Sequence, residues 1–215
     1  MQSAVTAGRK PAGVILAGGR SRRMSGVPKA LLDLDGQPLL KHVINRVSAQ
    51  VDDLYLSVEQ PSAALAEFGL PLVADPQPDA GPLAGLLMGL RLANPENEWL
   101  LLVPCDAPFL PLDLADRLLE YAISCALPGA VAVYGSEIQP TFSIWNRRIL
   151  PQIEKAFFEQ QMTGFKQVLR VLEVARLEWP RSKPPPFFNI NDRDALHEAG
   201  RLIESQSGKL QPCSA

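Results

Sequence analysis

Residues 99–105, WLLLVPC, carry no charge and no hydroxyl, amide or carboxyl side chain. A strand with one face in water alternates apolar and polar residues, whereas a strand without alternation is buried on both faces, the usual condition of a parallel sheet covered by helices. That run therefore points to a parallel sheet with helices above and below. The rest of the chain supplies them. Short apolar runs at 13–16, 54–58, 72–74 and 99–105 are each followed by a stretch with helical spacing, at 40–51, 62–68, 83–92 and 112–126. Such alternation predicts a three-layer α/β fold around a mostly parallel sheet.

After Gly129 the rhythm changes. AVAVYG and TFSIWN read as neighbouring strands, 149–160 and 164–172 as helices, and VARLEW as a further strand. The proline-rich segment PRSKPPPFFNIN is a stiff connector. A last helix is expected to begin at Asn191, with that side chain as its cap. Residues 1–204 read as one domain, since 215 residues suffice for one good core and fall short of two. Residues 205–215 read as a frayed tail. No apolar run reaches the length of a membrane span and the N-terminus lacks a signal-peptide core, so a cytoplasmic protein without membrane contact is expected. Cys105, Cys125 and Cys213 are widely spaced, with His42 and His197 the only histidines, a set that forms neither a zinc site nor a disulfide framework. Cys105, at the end of the apolar strand, reads as a buried filler.

Charge then narrows the function. The chain carries −2 in total, yet residues 1–32 hold Arg9, Lys10, Arg20, Arg22, Arg23 and Lys29 and no acid, which leaves the remainder at −8. Positive charge concentrated near a short loop of a mildly acidic protein points to a small polyanion, and argues against a nucleic acid, which calls for a broad basic face. In open α/β sheets ligands sit at the carboxyl ends of the strands. Those ends are Ala17-Gly18-Gly19, Ser57, Asp75 and Pro104-Cys105-Asp106. Neither common phosphate-loop spacing is present. Gly18 and Gly19 remove side chains where a base or phosphate must approach the backbone, and Arg23 and Lys29 lie far enough along to fold back over the same ligand. Asp106 follows the central strand, separated by Pro108 and Pro111 from the next helix; it suits a magnesium ion shared with phosphate oxygens better than a helix cap. Asp75 is open to two readings: an Asx-turn into the following loop, or a carboxylate accepting the paired N1–H and 2-amino donors of guanine.

The segments LAGGRSRRMSGVPK, VADPQPDAGPLAG, LLVPCDAPFLP, QPTFSIWNR and FFNINDRDAL, in this order from residue 13 to about residue 197, together resemble the molybdenum cofactor guanylyltransferase family. The glycine loop marks the wider nucleotidyltransferases, while GPLAG, PCDAP and NIN point to the molybdopterin branch. The resemblance implies a three-layer, Rossmann-like nucleotidyltransferase fold and transfer of GMP from GTP to molybdopterin. It also implies that Leu16, Ala17 and Gly18 hold the nucleotide, that Lys29 and Asp75 contact GTP, that Asp106 binds Mg2+, and that Asn189 and Asn191 face the acceptor. Three positions depart from the family pattern. Ser25 replaces a glycine, Ser57 stands where an asparagine contacts the nucleotide, and Gln139 stands on the acceptor side where a histidine occurs. Transient contact with molybdenum cofactor carrier or recipient proteins is a further implication.

No general base is evident, and none is required if the nucleophile is a phosphate monoester, already largely anionic at neutral pH. Arg23, Lys29 and Asp106 are then the expected catalytic groups, acting on charge and position. Two other classes stay open on the sequence alone: a cytidylyl- or sugar-1-phosphate nucleotidyltransferase built on the same loop, and a nucleotide-sensing module without catalysis.

Overall fold

The computed structural model describes residues 9–18, 27–77 and 79–207. In chain order its elements are β1 (Ala12–Leu16), a 3-10 turn at Lys29–Leu31, β2 (Asp33–Leu34), β3 (Gln37–Pro38), α1 (Leu39–Val47), β4 (Leu54–Val58), α2 (Ala63–Ala66), β5 (Leu72–Ala74), α3 (Pro82–Leu92), β6 (Trp99–Pro104) and α4 (Leu114–Ser124). The second half adds β7 (Gly129–Tyr134), β8 (Glu137–Asn146), α5 (Leu150–Glu154), which continues into a π-helical turn at Lys155–Glu159, then α6 (Phe165–Val168), β9 (Ala175–Glu178) and α7 (Arg193–Ser207).

The main sheet has seven strands in the order β5-β4-β1-β6-β8-β7-β9. β5, β4, β1 and β6 are mutually parallel, β8 is antiparallel to both β6 and β7, and β9 is again parallel to β7. β8 alone therefore runs against the rest, because the β7–β8 connection is only Gly135-Ser136, both at positive φ. Two such residues close a tight hairpin, which can join only antiparallel strands. Near Pro140 the β7–β8 register breaks, passing from Val131↔Ser143 directly to Ala132↔Gln139. A proline has no amide to donate, so the strand bulges there.

Period-two alternation divides the core between the sheet's faces. Ile15, Leu101 and Val103 face α1 and α4, where they meet Leu40, Val43, Val47, Leu114 and Leu118. Val14, Leu100 and Leu102 face α3 and α5, against Leu83, Leu87, Leu90 and Ile153. A smaller cluster of Leu34, Leu39, Phe109, Ile190 and Ala199 seats α7 beside the strand ends.

Several expected boundaries shift. The helix expected over 112–126 is α4, and its first turn is supported from outside: the buried Gln50 accepts a hydrogen bond from the Ala115 amide at 2.9 Å while donating to the Pro111 carbonyl. The helix expected over 164–172 is reduced to the single turn of α6. The last helix is not capped by Asn191. Asp192 accepts from the Ala195 amide at 2.8 Å and α7 begins at Arg193. α7 also runs to Ser207, three residues into the segment read as tail. Among the described residues no helix is long and apolar enough to cross a membrane.

Candidate active site

The parallel half of the sheet brings four chain segments to one edge. Ladder hydrogen bonds continue past the strands, from Ala17 N to Ser57 O (2.8 Å), Asp75 N to Val58 O (2.9 Å) and Cys105 N to Leu16 O (3.0 Å). Ala17, Ser57, Asp75 and Cys105-Asp106 are thus fixed side by side by backbone geometry alone. The segment after β9 crosses back to the same edge. Phe187 packs against Phe142, Trp179 and Tyr134, with ring centroids 4.7, 5.6 and 6.0 Å away. Three residues later the Ile190 amide donates to the Asp106 carbonyl at 3.0 Å. FFNIN is therefore anchored on both sides of Asn189.

Two chemically distinct regions result. In the first, the Lys29 ammonium donates to Asp106 Oδ2 at 2.5 Å and to Asn191 Oδ1 at 2.8 Å. Asp106 is 8% exposed, and its Oδ1 is buried without a hydrogen-bond partner. Asn189 Oδ1 is likewise buried and unpartnered. An ionised oxygen with no donor is costly, and such a group suits a hard cation or an incoming donor. The donor set therefore fits one Mg2+ contact from the protein, with the remaining oxygens left to phosphates and water. Among the described residues no three His, Cys, Asp or Glu side chains gather to hold a metal by themselves.

The second region is a cleft of about 180 Å³ whose lining includes Gly18, Glu59, Asp75, Asp79, Gly81 and Pro82. Gly18 lets the backbone come close there: a Cβ on it would stand 3.2 Å from the Glu59 amide nitrogen and 3.3 Å from Asp75 Oδ2, a tight contact. Gly81 holds φ +71 at the start of α3, and a Cβ there would meet the Thr163 carbonyl at 2.6 Å. Burial pushes the Asp75 carboxyl up to about 6, the charge of Glu59 adds to this, and a 3.5 Å bond from the Ser57 hydroxyl partly offsets it. The Asp75 side chain accepts from the Ser57 hydroxyl and lines the cleft.

The expected site residues are thus accounted for individually. Lys29, Asp106 and Asn191 meet directly. Gly18, Ser57 and Asp75 border the acidic cleft. Leu16 buries its side chain beneath α3 and presents only backbone to the edge. Gln139, half-buried on β8, donates to the Glu137 carbonyl at 3.5 Å. Since Leu102 pairs with Ser143 across antiparallel strands, the N-terminal part of β8 that carries Gln139 lies toward the Asp106 edge. Gly19, Arg23 and Ser25 lie outside the described residues. The expectation that the N-terminal cations gather on one ligand needs correcting for two of them. Arg9 pairs with Glu96 and Asp52, and Lys10 donates to the Ala49 carbonyl; both precede β1, at the opposite end of the strand. Cys105 is buried with its thiol pushed far up by desolvation, consistent with a filler. Glu59 was not singled out in the sequence, although it lies two residues beyond Ser57, while Gly81 is the first glycine of the GPLAG motif.

Comparison with known proteins gives a consistent picture. Residues 13–177 match the model of the MobA-like NTP transferase domain. A molybdenum cofactor guanylyltransferase of Mesorhizobium japonicum is 37% identical, over 93% of this chain and 99% of that protein. One from Rhodopseudomonas palustris is 36% identical, over 88% of this chain and 92% of that protein. The crystal structure of molybdopterin-guanine dinucleotide biosynthesis protein A from Archaeoglobus fulgidus superposes with a TM-score of 0.75 at 19% identity, covering 90% of this chain and 99% of that one, which shows a shared fold. With most of its length matched by the domain model and by these relatives, the chain belongs to the MobA-like NTP transferase family.

Proposed function

We propose that this protein is a molybdenum cofactor guanylyltransferase, which transfers GMP from GTP to the terminal phosphate of molybdopterin and releases pyrophosphate. The observation that carries the reading is Asp106. One buried carboxylate at the end of the central strand touches, through Lys29, the loop side of the site and, through its own carbonyl, the FFNIN segment. Both substrates would meet at that point.

Electrostatics orient the nucleotide. The cleft bordered by Glu59 and Asp75 disfavours a triphosphate and favours a base rich in N–H donors, while Lys29 attracts phosphate oxygens. GTP is therefore read with guanine toward Asp75 and phosphates toward Lys29, and Asn189 and Asn191 flank the acceptor side. In the reaction an anionic oxygen of the molybdopterin phosphate attacks the α-phosphorus, one P–O bond forms, and the bond to the β-phosphate bridging oxygen breaks. Asp106 would hold Mg2+, which when bound neutralises charge on the phosphate oxygens. Lys29 shifts its donors from Asp106 to the leaving pyrophosphate. His42 is bonded to the Leu34 carbonyl and His197 is exposed on α7, and a phosphate nucleophile needs no general base.

The test is incubation of the purified protein with GTP and molybdopterin, with pyrophosphate and the dinucleotide product followed by coupled assay and mass spectrometry. Efficient GMP transfer to molybdopterin is expected. Transfer to sugar 1-phosphates instead, with molybdopterin ignored, would assign the chain to another nucleotidyltransferase branch.

A further inference from the structure

The acidic cleft contains more acceptors than Asp75 provides. Glu59 follows the buried end of β4 and is held beside Asp75, because the Asp75 amide bonds to the carbonyl of Val58, the residue before Glu59. Gly18 stands between the two at close approach. Both side chains line the same cleft. Among the described residues the Glu59 carboxylate has neither a hydrogen bond nor an ion-pair partner, and its charge is felt at Asp75. Two carboxylates in one small cleft repel each other, so the arrangement is favourable only with a ligand that donates to both. Among the described residues no three His, Cys, Asp or Glu side chains gather there to hold a metal ion by themselves. No basic side chain is among the described residues lining the cleft.

The nucleobases differ in what they can offer. Guanine carries N1–H and both hydrogens of the 2-amino group on one edge, three donors in sequence. Adenine and cytosine present one amine beside bare acceptors, and uracil a single N–H between carbonyls. A carboxylate that accepts N1–H and one amine hydrogen is saturated, and the second amine hydrogen needs another acceptor. We propose that Glu59 is this second base-reading residue, which accepts the outer hydrogen of the guanine 2-amino group and sets the preference for GTP over nucleotides that lack that amine. The inference rests on the guanylyl-transfer reading above and adds a specificity residue to it. Asp75 then reads the inner pair, and Glu59 also repels any base that turns an acceptor toward it.

Inosine triphosphate separates the two carboxylates, because it keeps N1–H and O6 and lacks only the amine. Calorimetric binding of GTP, ITP and CTP to wild type, Glu59→Ala and Glu59→Gln is the experiment. Wild type should bind GTP about a hundredfold more tightly than ITP, which loses one amine hydrogen bond to each carboxylate, each worth about tenfold. Glu59→Ala should lose about tenfold for GTP and leave ITP within about twofold, while Glu59→Gln, which keeps one acceptor oxygen, recovers part of the loss. Equal weakening of GTP and ITP, or an unchanged GTP/ITP ratio in Glu59→Ala, overturns the assignment of Glu59 and leaves guanylyl transfer standing. Wild-type binding of CTP as tight as that of GTP removes both.

Discussion

Removal of Lys29 tests how the two halves of the site are joined. In Lys29→Ala the Asp106 carboxylate loses its one hydrogen-bonded cation among the described residues and keeps an Oδ1 already without a partner. A fully buried ion pair costs about 3–5 kcal/mol when one partner is removed, and an exposed pair about 0–1 kcal/mol. The side chains here are 12% exposed for Asp106 and 23% for Lys29, which puts the loss near 2 kcal/mol, less than the full burial value. Asp106→Asn should cost less, about 1 kcal/mol, since the ammonium that remains keeps Asn191 at 2.8 Å and reaches water. The double variant buries no unpaired charge, so it should be more stable than Lys29→Ala alone. Urea unfolding followed by tryptophan fluorescence measures all three, with a melting-temperature loss of about 4–8 °C expected for Lys29→Ala in a chain of this size. A Lys29→Ala protein within about 0.5 kcal/mol of wild type, or strictly additive effects, would refute the argument that this pair is a coupled, largely buried unit.

Three further outcomes follow from the same geometry. Asp75 ionises only at about 6, so the fold opposes its charge at neutral pH. That penalty is complete above the folded value and is relieved as pH falls through it toward the ordinary carboxylate range. Asp75→Asn should therefore stabilise the free protein at pH 7 and lose this advantage near pH 4. GTP affinity of wild type should fall below pH about 6, with the inflection absent in Asp75→Asn; an identical inflection in both would place the titrating group elsewhere. Asp192→Ala should cost about 1 kcal/mol by uncapping α7, whereas Asn191→Ala should slow transfer with little loss of stability, and the reverse pattern would return the cap to Asn191. Native-state alkylation with peptide mapping should modify the exposed Cys125 and spare Cys105, whose thiol reacts only after unfolding; fast labelling of Cys105 would contradict its burial.

What could be read from the sequence divides along physical lines. The strands of the parallel half were legible because WLLLVPC and the runs at 13–16 and 72–74 lack any polar face, and burial on both sides is a local signature; LYLSV at 54–58 carries Tyr55 and Ser57 on one face and was read from its place in the alternation. The direction of β8 depended on the two-residue turn at Gly135-Ser136, which the reading of AVAVYG as strand had absorbed, and the early start of the strand at Glu137 and the bulge at Pro140 were settled by pairing with β7. Asp106, Lys29 and Asp75 could be singled out because each ends a strand or follows the glycine loop. Glu59 escaped notice, since a glutamate after a strand resembles any solvated residue until the neighbouring strand brings Asp75 beside it. The cap was misassigned between Asn191 and Asp192, two adjacent residues with equal capping chemistry; Lys29, far away in sequence, decided which one was free.

If Asp106 governs transfer at the point where both substrates meet, its removal must slow turnover far more than it weakens GTP binding. The pyrophosphate release rate of Asp106→Asn with GTP and molybdopterin, alongside calorimetric GTP binding by the same folded variant, decides this. The expected result is a loss of turnover of about 10²–10³-fold, the usual effect of removing a group that stabilises transition-state charge, with base-dependent GTP binding at the Asp75 cleft retained. Turnover close to wild type in a folded Asp106→Asn protein would contradict it.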